Sequence, residues 1–193
     1  FSLRLHRGLS WLQRAEQDDD DPDASFIFLW IAFNSIYSTP AHDVKPARSI
    51  FTEFFNKILK LDHDKKLYNM IWTRYSKEIR GLLNNKYIFQ PFWENTTDNS
   101  APDWEKSFQK SKEKVHKALK DHASAEILSI LIDRLYILRN QLIHGASTWK
   151  GKLNREQVRD GERFMRHMVP CLIEIMISNP DEDWGRTFYP ALN

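Results

Sequence analysis

One stretch of the chain, residues 128–145, constrains the fold more than any other. It reads LSILIDRLYILRNQLIHG, and its leucines recur at steps of three and four, at positions 128, 131, 135, 138 and 142. This spacing places the leucines on one face of an α-helix. Gly145 is typical of a helix end, because glycine readily adopts the left-handed conformation that follows a last turn. The pattern predicts a central helix over 124–144 that ends at His144.

The rest of the chain shows the same helical period. Apolar residues recur at helical spacing in segments 3–17, 23–37, 46–61, 65–83, 103–122 and 155–177. Residues 84–102 carry prolines and a polar run, which predicts a long loop. The sequence therefore predicts an all-α fold, a helical bundle of six or seven helices in a single domain over 1–193. Because the chain begins with Phe1 rather than Met, further flanking sequence is an open expectation.

Composition indicates where the protein is found more than what it does. Lys and Arg number 28 and Asp and Glu 26, so net charge predicts no particular partner, and any basic surface is local. The longest apolar run, residues 26–33, is far shorter than the roughly 18 residues of a membrane helix, so no membrane association is expected. The single cysteine, Cys171, lies among apolar residues, which excludes a disulfide framework and indicates a reducing compartment, the cytoplasm.

Two acidic clusters contain side chains that can bind a metal ion. Residues 18–21 are four aspartates, and Asp21-Pro22 is typical of a helix N-cap followed by the first helical residue. Residues 62–64 read Asp-His-Asp, but three consecutive side chains rarely converge on one ion. We therefore predict no metal site and no cofactor. Asn34 interrupts the apolar helix over 23–37, and we expect its amide to fix a neighbouring helix.

The helix predicted over 103–122 has a basic face opposite its apolar side. A lysine track of this kind can follow a phosphate backbone. It is also the pattern of an ordinary solvated helix face, and Glu105 and Glu113 lie close by. The candidate nucleic-acid-binding residues are Lys106, Lys110, Lys114 and Lys117.

Three polar residues at the end of the central helix are the candidate catalytic residues: Arg139, Asn140 and His144. A histidine can transfer a proton near neutral pH, and an arginine offers a planar fork of donors to a phosphate. Asparagine can orient the imidazole or hold a phosphate oxygen. These groups suffice for metal-free RNA cleavage with the ribose 2′-hydroxyl as nucleophile. Arg139 and His144 differ by about 140° around a helix, so either the helix unwinds or two copies of the chain form the site.

The context of these residues resembles a known family. Leu138-Arg139-Asn140, with His144-Gly145 closing a long helix in an all-helical chain, resembles the HEPN signature, an arginine and a histidine separated by four to six residues. The segment LWIAFNSIY at 29–37 is similar to the buried helix of an uncharacterised, Apea-like subgroup. The resemblance covers about residues 26–177, although only the signature is specific.

The resemblance implies a domain that dimerises and pairs two signatures across a cleft, which makes a metal-independent endoribonuclease. Arg139 and His144 match the signature pair, and Asn140 matches its frequent polar position. The resemblance implies that RNA is the substrate and that the protein forms a homodimer. It also implies a toxin–antitoxin or phage-defence system as the setting, with an antitoxin or effector protein as a further partner. Some family members keep the fold but bind nucleotides or proteins without catalysis. A third interpretation is a helical scaffold in which the three residues only complete a helix C-terminus, where cations are favoured.

Overall fold

The computed structural model describes residues 1–18, 20–38, 47–97, 103–152 and 154–187, and every regular element in these ranges is helical. The all-α prediction is confirmed. The helices are α1 (Ser2–Glu16), α2 (Pro22–Tyr37), α3 (Ala47–Leu61), α4 (Lys66–Asn69), α5 (Ser76–Leu83), α6 (Gln90–Thr97), α7 (Trp104–Lys120), α8 (Ser124–Ile143) and α9 (Arg155–Ser178). No helix within the described ranges is long and apolar enough to span a membrane.

The number of helices exceeds the six or seven expected, and two segments account for the difference. The single helix predicted over 65–83 is divided into α4 and α5 by a π-helical turn, Met70–Arg74. The predicted loop over 84–102 instead holds a 3₁₀ turn, Lys86–Ile88, and the short helix α6, while residues 98–102 lie outside the described ranges.

The short helix α6 forms because aromatic rings pack on one another rather than because of a long apolar stripe. The ring of Phe92 meets Tyr87, Trp93 and Trp104 with ring centroids 5.0–5.5 Å apart. The indole N–H of Trp93 donates to the backbone oxygen of Tyr87 at 2.8 Å. Contacts of this kind depend on the residues that fold together and leave no helical period in the sequence.

Helix α8 lies at the centre of the bundle. It contacts α2, α3, α5, α7 and α9, and its leucine face is inside the core: Leu128, Leu131 and Leu135 are fully buried. The helix predicted over 23–37, now α2, is buried on most sides, with Leu29 and Phe33 inaccessible to solvent. Most of the buried apolar residues of the described ranges belong to one continuous cluster. A core of this size holds both ends of α8 in fixed positions.

The start of α2 also anchors the turn that follows α8. Asp21 caps α2, because its Oδ1 accepts hydrogen bonds from the backbone N–H of Asp23 and Ala24, as the Asp-Pro sequence predicted. Its Oδ2 accepts from the indole N–H of Trp149 at 2.6 Å. Asp23 binds Arg155 across 2.8 Å in a nearly buried ion pair. These contacts fix residues 149–155 against α2 and so define where the chain leaves α8.

A buried arginine ties the C-terminal segment to α1 and α2. Arg4 is 1% exposed, and its guanidinium donates to four backbone carbonyl oxygens, those of Ile36, Ser38, Gly185 and Arg186, at 2.7–3.4 Å. Burial lowers the pKa of Arg4 from its usual value. The clamp places Thr187 beside the C-terminal end of α2, where it contributes to the groove described next.

Candidate active site at the end of the central helix

Helix α8 ends in a Schellman motif, as the glycine predicted. His144 is the C-cap, and Gly145 follows with φ of +69°, in the left-handed region. The N–H of Gly145 donates to the carbonyl of Leu142 at 3.3 Å, and the N–H of Ala146 donates to that of Gln141 at 2.9 Å. Both bonds satisfy carbonyls that a helix end otherwise leaves without partners. The motif fixes His144 at the last turn rather than in a flexible loop.

In the C-terminal half of α8 the exposed side chains lie in one sector. In helical projection Arg139 and His144 mark the two edges of this sector, about 140° apart. Between them project Tyr136, which is 45% exposed, and Ile143, which is 47% exposed. Asn140 lies about 100° from Arg139 and about 40° from His144. The three candidate catalytic residues therefore share one exposed sector with two large apolar side chains at its centre.

Arg139 points into a groove of about 590 Å³ between α1, α2, α8 and the C-terminal segment. The residues lining this groove, which we call the Arg139 groove, are Arg7, Trp30, Ile31, Asn34, Ser35, Tyr37, Ser38, Tyr136, Arg139 and Thr187. Every charged side chain in this lining is an arginine, and the remaining polar groups are hydroxyls and one amide. A groove with this lining favours an anion.

The guanidinium of Arg139 makes one hydrogen bond within the described ranges, from Nη1 to Oδ1 of Asn140 at 2.9 Å. Its Nε is buried and has no partner there. Asn140 therefore orients Arg139 rather than His144 in this structure. A buried donor without a partner costs roughly 1–3 kcal/mol, which an added acceptor can recover if the side chain rotates towards it.

The phenol of Tyr37 lies in the same groove, where the positive charge of Arg139 acts on the pKa of its hydroxyl. Burial raises the pKa of the Tyr37 hydroxyl, Tyr136 raises it further, and Arg139 partly opposes the shift. A tyrosine hydroxyl is neutral at physiological pH even without this shift, and the shift keeps it protonated well above that pH.

His144 is exposed, and its imidazole makes no hydrogen bond within the described part of the chain. It does not line the Arg139 groove. One subunit thus brings Arg139 and Asn140 together but directs His144 to a different side of the helix, as the 140° separation predicted.

The four candidate lysines form an exposed track along α7. Lys106, Lys110, Lys114 and Lys117 are all exposed. Helix α7 is anchored to α8 through Ser111, whose hydroxyl accepts from Nη2 of Arg134 at 2.9 Å. Arg134 and Arg139 differ by about 140° around α8, so the track and the Arg139 groove lie on different sides of this helix.

In each acidic cluster an aspartate accepts backbone hydrogen bonds at the start of a helix, and Asp19 lies outside the described residues. No group of three or more His, Cys, Asp or Glu side chains within the described residues is arranged to hold an ion. Asp62 instead caps α4, because its two oxygens accept from the backbone N–H of Lys66 at 2.8 Å and of Tyr68 at 3.1 Å. This local role explains the aspartate without an ion.

Sequence reasoning missed several residues of the groove. Asn34 was expected to fix a neighbouring helix, but it is half-buried and lines the groove without a side-chain hydrogen bond inside the described ranges. Tyr136 places a hydroxyl among the apolar residues of α8, and this was the one sequence signal that pointed to a groove residue. Arg7 and Thr187 come from the two ends of the chain, and no local pattern connects them to α8.

Comparison with known protein families, curated proteins and solved structures produced no match to this chain.

Proposed function

We propose that the chain is a HEPN-type, metal-independent endoribonuclease that acts as a homodimer in the cytoplasm. The observation that carries the proposal is the exposed sector of α8, which places Arg139 and His144 on either side of Ile143 and Tyr136. The resemblance of this helix end to the HEPN signature supplies the reaction class. In that family the setting is a toxin–antitoxin or phage-defence system, with an antitoxin or effector protein as a partner.

A second copy of the chain can bring a His144 close to an Arg139, which the geometry of one subunit keeps apart. When two copies meet about a two-fold axis near Ile143, His144 of one copy approaches Arg139 of the other across the contact. The apolar surface of Ile143 is then covered, which stabilises the contact by removing that surface from water. The Arg139 groove opens at the edge of this contact and remains accessible to a strand of RNA.

The reaction needs only groups of this chain and the substrate. An imidazole of His144 takes the proton from the ribose 2′-hydroxyl as the 2′-oxygen forms a bond to phosphorus. The bond from phosphorus to the 5′-oxygen breaks, and that oxygen receives a proton from the protonated His144 of the other copy. Arg139, oriented by Asn140, stabilises the extra negative charge on the phosphate. The products are a 2′,3′-cyclic phosphate and a 5′-hydroxyl.

The decisive experiment uses a DNA oligonucleotide with a single embedded ribonucleotide, incubated with the protein in EDTA. We expect one cut, directly after the ribonucleotide, with a 2′,3′-cyclic phosphate on the upstream fragment. The same oligonucleotide with a 2′-O-methyl group at that position should remain intact, because the nucleophile is blocked. Cleavage that requires a divalent ion, or that also occurs in all-DNA, would contradict the mechanism.

The assembly is tested by placing a charge at the proposed contact. Ile143→Asp should convert the dimer to a monomer and abolish cleavage, because a carboxylate at the centre of an apolar contact is desolvated without a partner. Ile177→Asp is the matched control, since Ile177 is 51% exposed on α9 and lies outside the proposed contact. Sedimentation of the wild type as a monomer at tens of micromolar would overturn the dimer.

The Arg139 groove also favours a second candidate, a module that binds a nucleotide or a partner protein without cleaving RNA. The observation behind it is that Arg139 faces this groove, whereas His144 does not. Binding of RNA or a nucleotide by the wild-type protein, with no cut in the single-ribonucleotide substrate, would favour this candidate.

A further inference from the structure

We infer that the Arg139 groove is a subsite for one unpaired nucleotide of an RNA strand, with its phosphate at Arg139 and its base stacked on Tyr136. The inference deepens the proposed function and rests on it for the identity of the ligand as RNA. It assigns binding roles to Tyr136 and Asn34, which lie outside the three signature positions.

The charge of the groove fits a phosphate. Arg7 and Arg139 are the charged residues of the lining, and Arg139 has no carboxylate partner within the described ranges. The hydroxyl of Thr187 borders the same space as a further hydrogen-bonding group, whereas the hydroxyl of Ser35 donates to the backbone oxygen of Ile31 at 2.9 Å. Among the described residues the guanidinium of Arg139 is hydrogen-bonded to the neutral amide of Asn140 alone, so its charge is available to an incoming anion.

The aromatic wall of the groove fits a base. Tyr136 is 45% exposed, and its ring lies 6.0 Å from that of Trp30, which is almost fully buried. The buried indole supports one side of the tyrosine ring, so the exposed part of that ring is held in place. A supported, accessible ring next to a cation is the arrangement by which proteins bind single-stranded nucleic acid, since every base has a face that can stack.

The size of the groove limits the ligand to about one nucleotide. Its volume, about 590 Å³, is within the range of pockets that bind small organic ligands. A paired base cannot enter, because its faces are already stacked in the duplex and its edge is already hydrogen-bonded. Asn34 supplies the amide that can distinguish one base from another through its Watson–Crick edge.

Binding is measured with 2′-O-methyl RNA pentamers, which cannot be cleaved through a 2′-hydroxyl. Tyr136→Leu should weaken the affinity of a pentamer by about 5- to 150-fold, the range expected for loss of one base–aromatic stack. Tyr136→Phe should keep most of the affinity, because the ring remains. Tyr68→Leu is the matched control: Tyr68 is 36% exposed on α4, at the opposite end of the bundle from Arg139.

The second measurement removes the base instead of the ring. Each of the five positions of the pentamer is replaced in turn by an abasic residue. We expect one position at which the loss of the base weakens binding to the wild type and has little further effect on binding to Tyr136→Leu. This lack of additivity identifies the base and the ring as partners. Circular dichroism and sedimentation of each variant exclude loss of fold or of assembly as the cause.

Three results would overturn the subsite: equal effects of Tyr136→Leu and Tyr68→Leu, additive effects of the abasic residue and the tyrosine substitution at every position, or equal affinity for duplex RNA. Binding of inorganic phosphate or a free mononucleotide as tightly as a pentamer would identify a small-ligand pocket instead. The nuclease proposal fails separately, if the pentamer binds as expected but the single-ribonucleotide substrate is never cut. Cleavage without any contribution of Tyr136 to binding would leave the nuclease and remove the subsite.

Discussion

Arg134 and Arg139 lie five residues apart on the same helix, and their surroundings differ sharply. Arg134 is 4% exposed, and its guanidinium carbon lies 4.3 Å from the ring centroid of Phe89 and 5.7 Å from that of Phe108. Its Nη2 also donates to the hydroxyl of Ser111. Arg139 is half-buried, contacts the amide of Asn140 and faces an open groove.

Helix α8 therefore carries one arginine that joins neighbouring elements and one that faces a groove. Around Arg134 the positive charge is stabilised by aromatic faces and a hydroxyl, and the side chain joins α8 to α7 and to the 3₁₀ turn before α6. Around Arg139 the described residues supply one hydrogen-bond acceptor, Oδ1 of Asn140, and the side chain faces the open groove instead of an aromatic ring. An arginine that the fold leaves partly unsatisfied next to a groove is available to a ligand.

The largest effect is expected at His144, which lies at the edge of the exposed sector of α8 opposite Arg139. His144→Ala should lower the rate of RNA cleavage by about 10²–10⁴, the usual loss when a general acid–base is removed. The melting temperature should change little, because the side chain is exposed. His116→Ala, at an exposed position of α7, is the control and should retain activity. If His144→Ala lowers the melting temperature but leaves the cleavage rate of the folded protein unchanged, the helix-end interpretation is correct.

Alanine substitutions of Arg139 and Arg134 should affect different properties, the cleavage rate in one case and the stability in the other. Arg139→Ala should lower the cleavage rate about 10²–10³-fold with little loss of stability, and Arg139→Lys should rescue poorly because the planar fork is lost. Arg134→Ala should instead destabilise the fold by about 2 kcal/mol or more, since it removes a desolvated cation–π contact and its packing. Kinetics and thermal unfolding of both variants provide the check. Equal loss of stability in the two variants would remove the distinction.

A smaller effect is expected at the residue that holds Arg139. Asn140→Ala should reduce the cleavage rate about two- to tenfold, which corresponds to one hydrogen bond of ordinary strength. Asn140→Asp tests the orientation separately, since its carboxylate keeps an acceptor for Nη1 but neutralises the guanidinium towards phosphate. We expect single-turnover rates to be lower for Asn140→Asp than for Asn140→Ala. The reverse order would mean that the amide acts on His144 or on the substrate.

The smallest effect concerns the lysine track on α7, which lies on another side of α8. Lys110→Ala and Lys117→Ala should each reduce the slope of log Kd against log salt concentration by about 1, with turnover at saturating RNA unchanged. Lys60→Ala, at the exposed end of α3, is the control. Unchanged salt dependence in both α7 variants would assign the track to an ordinary solvated helix face.

The elements that could be predicted from the sequence are those in which local chemistry agrees with the fold. The leucine period of α8, the left-handed glycine after His144 and the Asp-Pro cap of α2 all formed as predicted, because each depends on residues a few positions apart. The angle between Arg139 and His144 also followed from helix geometry alone, and with it the conclusion that one straight helix cannot direct both at one atom.

The polar groups that meet in the Arg139 groove could not be predicted from the sequence, because they are brought together by tertiary packing. Arg7, Asn34, Tyr136 and Thr187 come from four separate segments, and they line one groove because Arg4 clamps the C-terminal segment to α2 while α8 packs beside it. The aromatic cluster that turned the expected loop into α6 depends in the same way on rings brought together from different segments. Periodicity reports which side of a helix is buried, but the partner of a polar side chain is set by packing between segments distant in sequence, and no local pattern encodes it.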